Sequence, residues 1–159
     1  MGQFKTKERT LKNSEDKSVV VKVTLFTGFY GLEILTKIIS KISPTLLNAI
    51  NSKGKSIADL DIDFKEISNN IVSNLLDGSV LELLKEITAS TVIDNVDLSN
   101  DSGFDIAFCG EYGLLIDTIT FILEANYKSF LAGKITKILK NKILQFTGEM
   151  KKMKGVSKK

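Results

Sequence analysis

Residues 18–26 read SVVVKVTLF. Val19, Val20, Val21, Val23 and Thr24 are branched at Cβ, so they lose rotamer freedom in a helix and pack well on a pleated surface. The stretch predicts a strand, and it is the one strong strand signal in a chain of 159 residues. What lies on either side of it decides the fold. Upstream, residues 1–17 (MGQFKTKERTLKNSEDK) carry mixed charge and no apolar run. That composition predicts a disordered N-terminal tail and no secretory signal. Downstream, Thr27-Gly28 ends the strand, and apolar residues then recur every three or four positions, the helical period.

Residues 29–42 place Leu32, Leu35, Ile38, Ile39 and Ile42 at that spacing and predict a helix ended by Ser43-Pro44. Pro44 suits the first turn of a second short helix over residues 44–50. A turn follows at 51–56. Residues 63–76 predict a helix with Phe64, Ile67, Ile71 and Leu75 on one face and Asp63 as its cap, Glu66 lying three positions on. Asp77-Gly78 closes it, and a helix over 79–88 starts from Ser79. Residues 91–98, TVIDNVDL, lean towards β structure and break at Asp94-Asn95 in the manner of a small hairpin. Residues 100–103 read as a polar loop. Residues 104–130 form the longest periodic stretch, with Phe108, Tyr112, Leu115, Ile119, Ile122 and Phe130 at helical spacing. In it Glu124 precedes Lys128 by four, the favourable order for an ion pair. After Gly133, residues 134–146 alternate an apolar face (Ile135, Ile138, Leu139, Ile143, Phe146) with Lys134, Lys137 and Lys140, and a basic tail follows.

The fold class expected is therefore mainly α: a small helical domain with one or two short N-terminal strands and room for a hairpin near 91–98. Its organisation is a tail (1–17), a helical domain (18–133), and a basic amphipathic helix with its tail (134–159). The expected core is Leu32, Leu35, Ile38, Ile39, Ile67, Ile71, Leu75, Leu83, Leu84, Phe108, Tyr112, Leu115, Ile119 and Ile122.

Composition removes most catalytic chemistry. The chain has no histidine and one cysteine. Ser-His-Asp and Cys-His catalysis, imidazole zinc sites, an intrachain disulfide and CxxC redox chemistry are all excluded. Cys109, beside Phe108 on an apolar stretch, reads as a small buried hydrophobe. Asp59-Leu-Asp61-Ile-Asp63 lacks the glycine and glutamate of an EF-hand loop. Gly110 and Gly113 form no phosphate loop and read instead as a close-packing pair on a helix. No catalytic residue, cofactor or metal is expected. No stretch approaches the roughly 20 apolar residues of a membrane span.

Charge is segregated. Residues 1–58 carry ten basic and four acidic side chains, net +6; residues 59–127 carry two and fourteen, net −12; residues 128–159 carry ten and one, net +9. The basic end has no arginine, so any contact with nucleic acid would be non-specific and salt-sensitive. An anionic membrane surface is the other ligand such an end could meet. Lys134, Lys137, Lys140, Lys142, Lys151 and Lys152 are the candidate basic contacts. The opposed charge blocks also suggest head-to-tail pairing between copies.

The order of elements resembles a known family. A valine-rich strand at 19–26 leads into Gly-Leu-Glu-Ile-Leu-Thr-Lys-Ile-Ile at 31–39 and Ser-Pro-Thr-Leu-Leu at 43–47. Downstream come Phe104-Asp105-x-x-Phe108-x-Gly110-x-Tyr112-Gly113-x-Leu115 and Ala125-Asn126-Tyr127-x-x-Phe130. The pattern, over residues 19–131, is similar to that of the tail assembly chaperones of long-tailed bacteriophages. The resemblance implies a non-enzymatic protein that binds the helical, aggregation-prone tape-measure protein in the host cytoplasm. It keeps that client soluble until tail-tube subunits polymerise around it, which makes the tail-tube protein a second candidate partner. It also implies that some relatives have a frameshifted longer form. The candidate partner-binding residues are Phe104, Phe108, Tyr112 and Phe130 of the motif, with Ile135, Ile138, Leu139 and Phe146 of the following segment. The alternatives are a structural or connector component of a phage particle, or a basic-tailed binder of nucleic acid or membrane surfaces.

Overall fold

The computed structural model of the chain describes residues 3–53, 63–74 and 78–131. Within them the order is β1 (Thr6–Lys12), β2 (Ser18–Thr24), α1 (Gly28–Lys53), α2 (Phe64–Ser73), α3 (Gly78–Thr88), β3 (Thr91–Ile93), β4 (Val96–Asp97), α4 (Asp101–Phe108) and α5 (Tyr112–Leu131). The strands form one antiparallel sheet, β1-β2-β3-β4. The fold is mixed α/β. This corrects the expectation of a mainly α domain with one or two short strands.

The correction begins at residue 6. β1 lies in the segment expected to be a disordered tail, and it pairs with β2 from Thr6 opposite Thr24 to Lys12 opposite Ser18. Side chains alternate across a strand, so Lys7, Arg9 and Leu11 share a face with Val23, Val21 and Val19. Val21 and Val23 are fully buried on that face. Lys7 and Arg9 reach over α5. Lys7 Nζ donates to the Ala125 carbonyl at 3.2 Å. Arg9 donates to Glu124 Oε2 at 2.8 Å, and its guanidinium lies 4.4 Å from the centre of the Phe121 ring. The turn between the strands is tied down as well: Ser14 donates from its backbone N–H (2.9 Å) and hydroxyl (2.6 Å) to Glu111. Those two hydrogen bonds hold the Glu111 carboxyl below its usual range.

The stretch at 91–98 does form a hairpin. Asp94 and Asn95 both have positive φ (45° and 69°), as a two-residue turn between twisted strands requires. β3 pairs with β2, so this hairpin extends the N-terminal sheet. Thr91 and Ile93 join Val21 and Val23 on the buried face.

The helices differ from expectation in four places. α1 runs unbroken through Ser43-Pro44 to Lys53, so there is no second short helix at 44–50. α3 begins at Gly78, which places Ser79 inside the first turn instead of at the cap. The long periodic stretch is two helices, α4 and α5, meeting at 118°. The break falls at 109–111, where Gly110 has φ +71°, a left-handed conformation natural to glycine. Gly113 has open space around its missing Cβ, so the glycine pair does not mediate close packing. Cys109 caps α4 and is exposed, which corrects its reading as a buried hydrophobe. The polar stretch at 100–103 is the start of α4, with Asn100 Oδ1 accepting from the Gly103 N–H at 2.7 Å. Asp63 caps α2 as expected, accepting from the N–H groups of Lys65 and Glu66.

α5 is the central element. Leu114, Leu115, Ile119, Phe121, Ile122, Leu123 and Tyr127 are all buried, on more than one side of the helix. A helix apolar nearly all round must be enclosed, and α5 contacts the sheet, α2, α3 and α4. Thr120 donates to Ser68 Oγ at 2.9 Å and fastens α2 to it. α1 faces the core through Ile34 and Ile38, and Leu32, expected in the core, is 53% exposed. Leu35 and Ile39 are half-buried. Tyr112, also expected in the core, is 66% exposed. Leu75 lies outside the described residues.

Candidate partner-binding surface

Hydrogen bonds bring three segments together at one end of the sheet. The Lys5 carbonyl accepts from the Leu25 N–H at 2.8 Å, just beyond the paired strands. The Phe26 N–H donates to Asn126 Oδ1 at 2.8 Å. The Tyr127 hydroxyl donates to the Gly31 carbonyl at 2.6 Å. The start of β1, the start of α1 and the last turns of α5 therefore meet here. Beneath them Phe26 packs edge-on to Tyr30 (5.3 Å between ring centres) and lies 6.2 Å from Tyr127. The Tyr30 hydroxyl donates to the Glu86 carbonyl at 2.8 Å, anchoring α1 to α3. Burial raises both tyrosines above their usual range, with Glu86 adding to the shift of Tyr30 and Tyr30 to that of Tyr127.

This rigid base carries apolar side chains that nothing in the described residues covers. Phe29 is 93% exposed, Leu32 is 53% exposed and Phe4 is 70% exposed. Phe29 and Leu32 stand three apart on α1 and so share a face. Burying such a side chain is worth about 1.5–3 kcal/mol. Phe29 was legible only as the start of a helix, because the spacing of Leu32, Leu35 and Ile38 suggests a buried stripe that the structure places one flank away. Phe4 gave no signal, since it lies in a stretch that reads as a tail.

The other end of α5, roughly 30 Å away at 1.5 Å per residue, carries a second apolar spot. Ile106 of α4 is 67% exposed, and Tyr112 of α5 is 66% exposed. Of the expected partner-binding residues, Tyr112 is thus at the surface. Phe108 is buried, with Phe104 half-buried against it at 4.9 Å between ring centres. The backbone of Phe130 belongs to the last turn of α5 at the aromatic end. Ile135, Ile138, Leu139 and Phe146 lie outside the described residues, as do Lys134, Lys137, Lys140, Lys142, Lys151 and Lys152.

A shallow groove of about 610 Å³ runs between α1 and α3. It is lined by charge already engaged: Lys37 pairs with Glu86 at 2.8 Å and Glu33 at 3.3 Å, and Lys41 hydrogen-bonds Ser79. The Glu86 hydrogen bond leads in holding the Lys37 ammonium above its usual range. Among the described residues no single helix is long and apolar enough to cross a membrane. The expected Glu124–Lys128 contact is displaced by Arg9, which takes Glu124.

No curated protein and no solved structure matches the chain. The family model described as phage tail assembly chaperone protein matches residues 17–140, from just before β2 to beyond the end of α5. That is 124 of the 159 residues, and it includes every described element except β1. The chain belongs to the phage tail assembly chaperone family.

Proposed function

We propose that the chain binds the tape-measure protein in the host cytoplasm and keeps its apolar helices from aggregating during tail assembly. The work is binding, not catalysis. The observation that carries the reading is Phe29: a phenylalanine 93% exposed, on a helix whose base is locked by Tyr127 and Tyr30. Apolar side chains held outward on a rigid helix suit a helix-in-groove or helix-on-helix contact. Ile106 and Tyr112, at the far end of α5, offer a second contact, and a long helical client could reach both.

Co-expression tests this. The tape-measure protein is produced with this chain, with the Phe29→Asp/Leu32→Asp variant, or alone, and its soluble fraction is measured. The wild-type chain should raise that fraction several-fold, and the variant should leave it near the level seen alone. Because both side chains are exposed, the variant's own stability should stay within about 0.5 kcal/mol. A tape-measure protein equally insoluble with and without the wild-type chain defeats the proposal.

A further inference from the structure

We infer that the surface formed by Phe4, Phe29 and Leu32 selects, among apolar helices, those whose apolar face is bordered by carboxylates. The inference rests on the reading that this surface receives the client's helices, and it names the chemistry of the segment received. Its support is the charge beside the exposed side chains. β1 runs along α5: Arg9 holds Glu124, and Lys7 holds the Ala125 carbonyl. Residues two apart share one face of a strand. The Lys5 carbonyl continues the ladder by accepting from the Leu25 N–H. Lys5 thus follows Lys7 and Arg9 on that face, towards the turn of α5 that holds Lys128.

Lys5, Lys7 and Lys128 are all exposed. Among the described residues none of them forms an ion pair. The carboxylates near this end are engaged with other cations: Glu124 with Arg9 at 2.8 Å, Glu8 with Lys22 at 3.9 Å, and Glu33 and Glu86 with Lys37 at 3.3 Å and 2.8 Å. Counted together, six cations face four carboxylates, and the three lysines without a carboxylate stand on β1 and α5. A helix that covers Phe29 and Leu32 also takes water from these ammonium groups, which is costly unless they gain a partner. Carboxylates along its edge supply that partner, and lysines there are repelled. Apolar burial therefore gives the affinity, and the lysines decide which helical stretch is taken and which way round it lies.

Two synthetic helical peptides test this against the full-length chain. Both carry leucines at i, i+3, i+4 and i+7; glutamates border that face in one and lysines in the other. By fluorescence anisotropy at low salt, the glutamate peptide should bind at least roughly tenfold tighter, with a margin that shrinks at high salt. Lys5→Glu/Lys128→Glu, at two exposed positions, should erase or reverse the preference, and Phe29→Asp/Leu32→Asp should abolish binding of both peptides. Equal affinities, or no binding of either peptide, would overturn the inference. A preference that survives Lys5→Glu/Lys128→Glu also overturns it, because the lysines of residues 132–159 then account for the attraction. Phosphatidylserine vesicles that displace the glutamate peptide and lose their hold in Phe29→Asp/Leu32→Asp would replace it with a membrane surface as the partner. Co-expression separates this from the proposed function. A tape-measure protein solubilised by the wild-type chain, alongside equal peptide affinities, removes this inference alone. A tape-measure protein left insoluble, alongside a clear glutamate preference, removes the proposed function and leaves the charge selectivity standing.

Discussion

Thr118 sits in the middle of α5 with no exposed surface, and its hydroxyl has no hydrogen-bond partner among the described residues. A buried hydroxyl without a partner costs about 1–3 kcal/mol, whereas an apolar group of the same shape costs nothing comparable. Thr118→Val should therefore stabilise the protein by about 1 kcal/mol, read as a higher urea midpoint at unchanged slope. Gly103 is the opposite case. A Cβ there would stand 1.9 Å from the Asp97 carbonyl oxygen, a backbone atom that cannot swing aside. Overpacking of this kind costs about 1–3 kcal/mol, so Gly103→Ala should lower the same midpoint. Neither residue announces its role in the sequence. Thr118 falls within an apolar stretch that any helix would accept, and Gly103 reads as part of a polar loop.

At the scale of elements, the legible parts were those whose local chemistry agrees with their final setting. β2 is branched at Cβ on both faces, and Asp94-Asn95 accepts positive φ, so strand and hairpin were readable. β1 was not, because its inward positions hold Lys7 and Arg9, whose stems cover apolar surface while their charges find α5. The break before α5 was hidden because apolar spacing continues across residues 109–111, and only the φ of Gly110 marks it. The surface residues Phe4 and Phe29 were illegible for a related reason: exposure is decided by packing partners, and periodicity cannot name those. The Arg9–Glu124 link can be measured directly. Both side chains retain solvent access (45% and 27%), so a double-mutant cycle with Arg9→Met and Glu124→Gln should give a coupling of about 0.2–1 kcal/mol that shrinks in high salt. The junction of α1 with α5 has a pH signature. Burial favours the protonated Tyr127 phenol and lifts it above the usual value of 10. Its contribution is thus complete below pH 10 and is lost as pH rises through 10 towards the folded value. Tyr127→Phe should flatten this alkaline decline in a pH series of thermal melts.

For the described molecule as a whole, the ordering is set by α5, which the sheet, α2, α3 and α4 enclose. Amides near residues 118–123 should exchange with solvent only through global unfolding, while those at the exposed start of α1 exchange through local opening; a native-state hydrogen-exchange series in denaturant separates the two. The family match begins at residue 17, so β1 is the one described strand outside it, even though it pairs with β2 along its full length. That strand also sets an order of events in synthesis. Both strands of the first hairpin leave the ribosome within 24 residues, but the Glu124 that Arg9 grips is made 115 residues after Arg9. At 5–20 residues per second, the interval is roughly 6–23 s. For most of that time the Val19, Val21 and Val23 face lacks α5. Lys7, Arg9 and Lys12 line the strand at its edge, and charge at a sheet edge resists pairing with other chains. The cations that later clamp α5 thus serve first to keep the nascent hairpin single.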